Sequence, residues 1–175
     1  MAMNKQVLAG LNKQLNKELE SAYLYLALSS YFEENDLDGF AAWLKVKAKE
    51  EMVHAMKIYD YIGDKKAKRD LTAIPIKGTT WKSPLQAMET AYKHECSVTQ
   101  SIYEILAIAR ENKDYSTEVL LHWFVNEQVE EESVADKMVQ KVKMVASSSE
   151  GLFMLDNYMA QQAAKEAAME SEEEE

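Results

Sequence analysis

The stretch AKEEMVHAMKIYDY, residues 48–61, decides the fold of this 175-residue chain. Its apolar residues recur every three or four positions, which is the spacing of one face of an α-helix. Glu51 and His54 lie on that face, in register with Leu44 and Ile58. The pattern therefore predicts a carboxylate and an imidazole one turn apart, both directed towards the interior of a helical protein.

Three further helical segments place acidic residues on their apolar faces. Glu18, for example, shares its face with Leu15 and Ala22. Gln128 lies one turn before Glu131 on the last of these segments. The acidic residues predicted to face inwards outside the first stretch are Glu18, Glu95, Glu127, Glu130 and Glu131. An ionised carboxylate in an apolar interior costs several kcal/mol unless it is paired, so we expect a cation among them.

Four long helices and a short fifth helix are predicted for most of the chain. The N-cap Ser83, followed by Pro84 and Gln86, is a strong signal for the start of the third helix. Segment 64–82 has no helical pattern, and it is long enough to cross the bundle and leave the second and third helices parallel. The predicted class is an all-α four-helix bundle with this long crossover. The expected helices cover about 7–32, 40–63, 84–112, 116–146 and 151–159.

The composition favours long helices and excludes several classes of protein. Only five Gly and two Pro interrupt the chain, so few tight turns are available. The formal net charge of −10 opposes binding to nucleic acid and to anionic lipid. Half of this charge lies in the last six residues, and we expect one domain over 1–163 and a flexible acidic tail over 164–175. One Cys, no signal-peptide core and no membrane-spanning run predict a cytoplasmic protein.

The inward-facing carboxylates indicate a pair of metal ions. Glu18, Glu51, Glu95 and Glu131 sum to a charge of −4, which two divalent cations neutralise, and His54 adds one nitrogen ligand. Oxygen-rich coordination with a single imidazole suits iron or manganese better than copper or structural zinc. A dinuclear iron site is the resulting hypothesis.

These segments resemble the non-haem ferritins of bacteria and archaea. The resemblance extends to about residue 160 and rests on LNKELESAYLYLA (15–27), AKEEMVHAMKIYDY (48–61), YKHECSVTQSI (92–102), LLHWFVNEQVEEE (120–132) and EGLFMLDN (150–157). It implies a ferritin-like bundle with a ferroxidase centre. Glu18, Glu51 and His54 correspond to the family's first iron site. Glu51 would bridge to a second iron held by Glu95 and Glu131.

The resemblance also implies supporting roles. Gln128 matches a glutamine beside the centre, and Tyr25 matches a neighbouring tyrosine that can donate one electron. A third, more inward iron site of bacterial members corresponds to Glu50, Glu127 and Glu130, with Glu131 shared.

No haem is predicted. The fourth helix carries Gln128-x-x-Glu131, where bacterioferritins, the haem-bearing relatives, have Glu-x-x-His. Met52 resembles the methionine that ligates haem in those relatives, but in a chain with ten Met we interpret it as an interface or core residue.

The function implied by the resemblance is iron storage with ferroxidase activity. Fe(II) would be oxidised by O₂ or H₂O₂ and deposited as ferric oxyhydroxide inside a homo-oligomeric shell of 24 subunits. Two alternatives stay open. One is a di-iron oxidase or peroxidase of the same fold, such as a rubrerythrin, although the single Cys does not provide the Cys-rich module usual there. The other is a metal-free structural bundle.

Overall fold

Five α-helices make up the computed structural model, which describes residues 3–75 and 78–173. They are α1 (Lys5–Glu33), α2 (Asp38–Asp64), α3 (Pro84–Glu111), α4 (Tyr115–Val145) and α5 (Ser149–Glu173). No β-strand occurs among the described residues, and the predicted all-α class is confirmed. In the same part of the chain, no helix has both the length and the apolar character required to cross a lipid bilayer.

The predicted start of α3 is confirmed by its hydrogen bonds. The hydroxyl oxygen of Ser83 accepts a hydrogen bond from the backbone N–H of Gln86 at 3.2 Å. In return, the side-chain oxygen of Gln86 accepts one from the backbone N–H of Lys82 at 2.7 Å. Pro84 occupies the first helical position, where its missing N–H costs nothing. This capping box fixes the point at which the crossover ends and the third helix begins.

The helices form two hairpins, α1 with α2 and α3 with α4, as predicted. Helix α3 runs antiparallel to α1, because Tyr25 near the end of α1 bonds Glu95 in the first half of α3, whereas Gly10 near the start of α1 faces Ile105. Helix α2 also turns back on α1 through the short turn 34–37. Helices α2 and α3 are therefore parallel to each other, which is the arrangement expected from the long connection between them.

Two asparagine side chains of α1 hold the crossover in place. The amide of Asn12 donates to the carbonyl of Lys68 at 3.0 Å and accepts from the N–H of Asp70 at 2.7 Å. One turn later, the amide of Asn16 donates to the carbonyl of Asp70 at 2.7 Å and accepts from the N–H of Thr72 at 2.8 Å. The two side chains thus satisfy backbone N–H and C=O groups that a helix would pair internally. The connection can therefore lie along α1 without being helical.

The apolar core is divided into two clusters with a polar layer between them. Prominent members of the first cluster are Leu28, Phe32, Phe40, Leu44 and Met88. Prominent members of the second cluster are Leu11, Ile58, Ile102, Leu121 and Phe124. Along each of α1 to α4, the buried acidic residue falls between the positions that contribute to the two clusters. The carboxylates consequently share one level of the bundle, closed off by apolar side chains on both sides.

Helix α5 is much longer than the short helix expected from the sequence. It has 25 residues, and Leu155, Met159 and Ala163, four residues apart, bury an apolar stripe that packs mainly against α2. The physical reason for its length is that no Gly or Pro follows Gly151, and the later segment is rich in Ala, the best helix former. The flexible tail expected over 164–175 stays a prediction. Its residues up to 173 continue the helix, and 174 and 175 lie outside the described part.

Replacing Gly39 with Ala is expected to push α5 away from α2. A Cβ at this position would lie 1.9 Å from the Asp156 carbonyl oxygen, and the Asp156 carboxylate accepts a bond from the Phe40 N–H at 2.9 Å. We expect a loss of about 1–3 kcal/mol in the free energy of unfolding, measured in urea, although Gly to Ala in a helix normally stabilises. The exposed Lys49→Ala should change it by less than about 0.5 kcal/mol. A Gly39→Ala protein of unchanged or greater stability would contradict the observed packing.

Candidate metal centre

Three predicted ligands converge at the middle of the bundle. One ligand atom each from Glu18 on α1 and from Glu51 and His54 on α2 lie within 4.8 Å of one another, and all three residues are buried. The spacing of three residues on α2 directs Glu51 and His54 to the same side. Within the described part of the chain, this is the one group of three such residues that comes so close together.

The Glu18 carboxylate is held on one side and open on the other. The side-chain amide of Gln14, one turn earlier, donates to Glu18 Oε1 at 2.7 Å. The second oxygen, Oε2, is buried and has no hydrogen-bond partner among the described residues. A buried carboxylate oxygen without a donor is costly in a metal-free protein, but it is the atom that a metal ion would bind. The unpaired oxygen of Glu18 is therefore consistent with a role as a ligand to a cation.

Helices α1 and α4 position the third carboxylate, Glu95 of α3. The Tyr25 hydroxyl donates to Glu95 Oε1 at 2.6 Å, and the Gln128 amide donates to Oε2 at 3.2 Å. Gln128 is also close to the hydroxyl of Thr99, at 3.2 Å. Both oxygens of Glu95 are therefore oriented by neighbouring side chains, an arrangement typical of carboxylates that ligate metals.

The fourth carboxylate, Glu131, faces a buried lysine that the sequence analysis missed. Lys47 is only 6% exposed, and its Nζ lies 3.4 Å from Glu131 Oε1 and 2.6 Å from Glu50 Oε2. A signal was present in the sequence, because Lys47 lies three residues after Leu44 and four before Glu51, on the face of α2 that turns inwards. The charge balance predicted from carboxylates alone therefore lacked one positive charge.

Burial of these carboxylates changes their acidity. It raises the pKa of Glu18 and Glu51 well above the usual range, and the neighbouring charges of Glu95 and Glu131 raise that of Glu51 further. Burial also raises the pKa of Glu95. It raises the pKa of Glu131 to about 7, even though the Lys47 ammonium acts in the opposite direction. Without metal, protons must supply part of the missing positive charge.

The residues predicted for a third iron site are more dispersed. Glu50 is half-buried and contacts the centre through Lys47, which lies between it and Glu131. Glu127 is half-buried and Glu130 is exposed. The structure thus brings Glu50 to the edge of the buried group but leaves Glu130 at the subunit surface, and the third site stays a prediction.

Each of α1 to α4 carries one buried carboxylate, and α2 adds a Glu-x-x-His pair. This resembles the ligand pattern of carboxylate metal proteins built on four-helix bundles, although α4 carries Gln-x-x-Glu in place of a second Glu-x-x-His. The ferritin-like domain family matches residues 8–145. The bacterial non-heme ferritin of Campylobacter jejuni is 38% identical over 157 residues, covering 90% of this chain and 94% of that protein. The one from Staphylococcus saprophyticus is 35% identical over 158 residues, covering 90% and 95%. This chain belongs to the ferritin family.

A solved structure agrees with this assignment. The open pore ferritin of the archaeon Archaeoglobus fulgidus superposes with a TM-score of 0.89 at 38% identity, over 91% of this chain and 98% of that one. An engineered closed form of the same archaeal ferritin gives a TM-score of 0.88, over 91% and 97%. The ferritin-like four-helix bundle predicted from the sequence is confirmed.

The metal-free protein is expected to lose stability as the pH rises from about 5 to 8. Folded Glu131 keeps its proton up to a pKa of about 7, whereas an unfolded glutamate releases it near 4.3, so the folded state binds more protons between these values. Glu131 alone should lower the free energy of unfolding by roughly 2 kcal/mol over this range. Urea unfolding of the chelator-treated protein at several pH values measures this effect.

Glu131→Gln should make this dependence shallower by the share that Glu131 contributes, because the amide does not titrate. The matched control is Glu130→Gln, at the exposed neighbouring position, which should leave the dependence as it is. Stability that rises from pH 5 to 8 in the unaltered metal-free protein would show that these carboxylates are not protonated by burial.

Proposed function

We propose that this chain is the subunit of an iron-storing non-haem ferritin and that its buried centre is a ferroxidase site. The observation that supports this most directly is the convergence of Glu18, Glu51 and His54 beside two further buried carboxylates, Glu95 and Glu131. Membership of the ferritin family supports iron as the metal, and the oxygen-rich ligand set suits it.

In this proposal the two iron ions have different ligands. The first is bound by Glu18, Glu51 and His54, whose ligand atoms are already together. The second is bound by Glu95 and Glu131, with Glu51 as the bridge between the two ions. Gln14, Tyr25 and Gln128 hold the carboxylates through the hydrogen bonds described above. Little rearrangement of the backbone is then needed when iron enters.

The reaction proposed is the oxidation of two Fe(II) ions by one oxidant molecule. Each Fe(II) gives up one electron, and O₂ takes both electrons together with two protons to leave as hydrogen peroxide. With H₂O₂ as the oxidant, the same two electrons and two protons yield two water molecules. Adjacent iron ions allow a two-electron reduction without release of a radical. Tyr25, hydrogen-bonded to Glu95, lies beside the centre at the position that the resemblance assigns to a one-electron donor, and the two-electron reaction above does not consume its electron.

Storage requires an enclosed space that one bundle lacks. We propose that the chain assembles into a homo-oligomeric shell, for which family resemblance implies 24 subunits. Glu50, Glu127 and Glu130 would then pass ferric iron from the centre towards the cavity. The half-buried or exposed positions of these residues on a single subunit suit that transfer role.

Two further statements remain predictions: that the protein binds no haem and that it is cytoplasmic. Met52, the residue that resembles a haem ligand, lies partly exposed on α2.

Replacing Glu51 or His54 with Ala is expected to abolish fast Fe(II) oxidation in stopped-flow measurements while the assembly remains intact. Each change removes a ligand of the first iron, and Glu51→Ala also removes the bridge. A loss of about 10²-fold or more in the initial rate is expected. His122→Ala removes an exposed imidazole and should leave the rate unchanged. Ligand variants that oxidise Fe(II) at the original rate would refute these assignments.

Metal counting and size measurement separate the proposal from its alternatives. Equilibrium dialysis under anaerobic conditions should find about two Fe(II) ions bound per chain at the buried centre. Light scattering should find a large hollow assembly. A protein that binds no iron would be a structural bundle, whereas one that binds and oxidises iron but remains a monomer or dimer would be a di-iron oxidase without storage.

A further inference from the structure

The buried ammonium of Lys47 contacts Glu131, one of the carboxylates proposed to hold the second iron. Its Nζ lies between Glu131 Oε1, at 3.4 Å, and Glu50 Oε2, at 2.6 Å. Among the described residues it is the one buried lysine. A lysine does not need to be buried to form a structural ion pair, as the exposed Lys45 of α2 shows with Glu33. Burial of Lys47 places a positive charge directly on a proposed ligand of the second iron.

A second position for this ammonium exists on α5. The carboxylate of Glu166 accepts a hydrogen bond from the Trp43 indole N–H on Oε1, at 3.3 Å. Its other oxygen, Oε2, is buried and has no hydrogen-bond partner among the described residues. Lys47 Nζ already lies over the same Trp43 ring, 5.7 Å from its centroid. The same indole therefore contacts both the lysine and a carboxylate that has an unpaired oxygen.

We propose that Lys47 is an internal placeholder cation, which pairs with the second-site ligand Glu131 in the metal-free protein and moves to Glu166 when a divalent ion binds at Glu131. The inference rests on the proposed function, because it takes Glu131 as a ligand of the second iron. A metal ion bound to Glu131 at about 2.0–2.2 Å and an ammonium on the same oxygen repel each other strongly. Rotation of a flexible lysine side chain relieves this repulsion without moving the helix.

The two metal positions would consequently fill in order. The group formed by Glu18, Glu51 and His54 has no ammonium contact, so the first ion enters without displacing a lysine. The second ion must first displace Lys47 from Glu131. The second position would thus fill at a higher iron concentration than the first, and Lys47 would set the difference between the two concentrations.

A titration of Zn²⁺, a redox-inert substitute for Fe(II), into the metal-free protein tests the order of filling. Calorimetry should resolve a tight class of sites and a weaker class. Lys47→Met should tighten the weaker class by about tenfold or more and leave the tight class unchanged. Lys45→Met, which removes an exposed lysine from the same helix, should alter neither class. Weaker sites of unchanged or lower affinity in Lys47→Met would overturn the inference, and so would a single class of sites in both proteins.

A second variant tests the position on α5, and its effect in the otherwise unaltered protein can be measured even if Lys47→Met does not fold. Glu166→Gln retains an acceptor for Trp43 but removes the charge that would receive the ammonium, so the weaker class should bind Zn²⁺ several-fold less tightly. In a Lys47→Met background the same substitution should have no effect, because no ammonium remains to move. An equal effect in both backgrounds would show that Glu166 acts only as a distant charge, and this would refute its role.

A crystal structure of the Zn²⁺-loaded protein shows the movement directly. Lys47 Nζ should have left Glu131 and should lie within hydrogen-bonding distance of Glu166 Oε2. Zinc at both positions with Lys47 still bonded to Glu131 would overturn the inference and leave the proposed function intact. Failure of zinc to bind at Glu18, Glu51 and His54 would instead overturn the proposed function itself.

Discussion

Carboxylate charge buried inside a bundle of apolar helices is the constraint on which the rest of this structure depends. Glu18, Glu51, Glu95 and Glu131 are all shielded from water at one level of the core. One ammonium, that of Lys47, lies against this layer, and it cannot offset four carboxylates. The raised pKa values and the unpaired oxygen of Glu18 are two expressions of the same deficit of positive charge. Protons balance it in the metal-free protein, and metal ions balance it in the proposed functional state.

The surrounding fold holds the carboxylates in place in the metal-free protein. Gln14 orients Glu18 from within α1, and Tyr25 and Gln128 orient Glu95 from two neighbouring helices. Apolar clusters on both sides of this layer exclude water and resist its collapse. The crossover is needed for this geometry, because it lets α3 run antiparallel to α1 and present its carboxylate to Tyr25.

Helix α5 adds a feature that four helices alone do not provide. Its first half packs closely on the start of α2, where Gly39 leaves room for the backbone of Asp156. This anchor directs the second half of the helix along α2 and brings Glu166 to the indole of Trp43. The long fifth helix thereby connects the edge of the metal centre, at Lys47, with a carboxylate far away in the sequence. A short helix ending near residue 159 would have left this edge uncovered.

The sequence by itself determined the helical class, the start of α3 at its capping box, the long crossover and the inward direction of the main carboxylates. These features are local or periodic, and periodicity states which side of a helix is buried. Only the tertiary structure decided that Lys47 lies on Glu131, that α5 extends along α2 and that Glu130 remains exposed. Such features depend on which residues of different helices meet at the same level. A long flexible side chain such as lysine can also reach water from a position near the core, so its burial is decided by its neighbours rather than by its spacing.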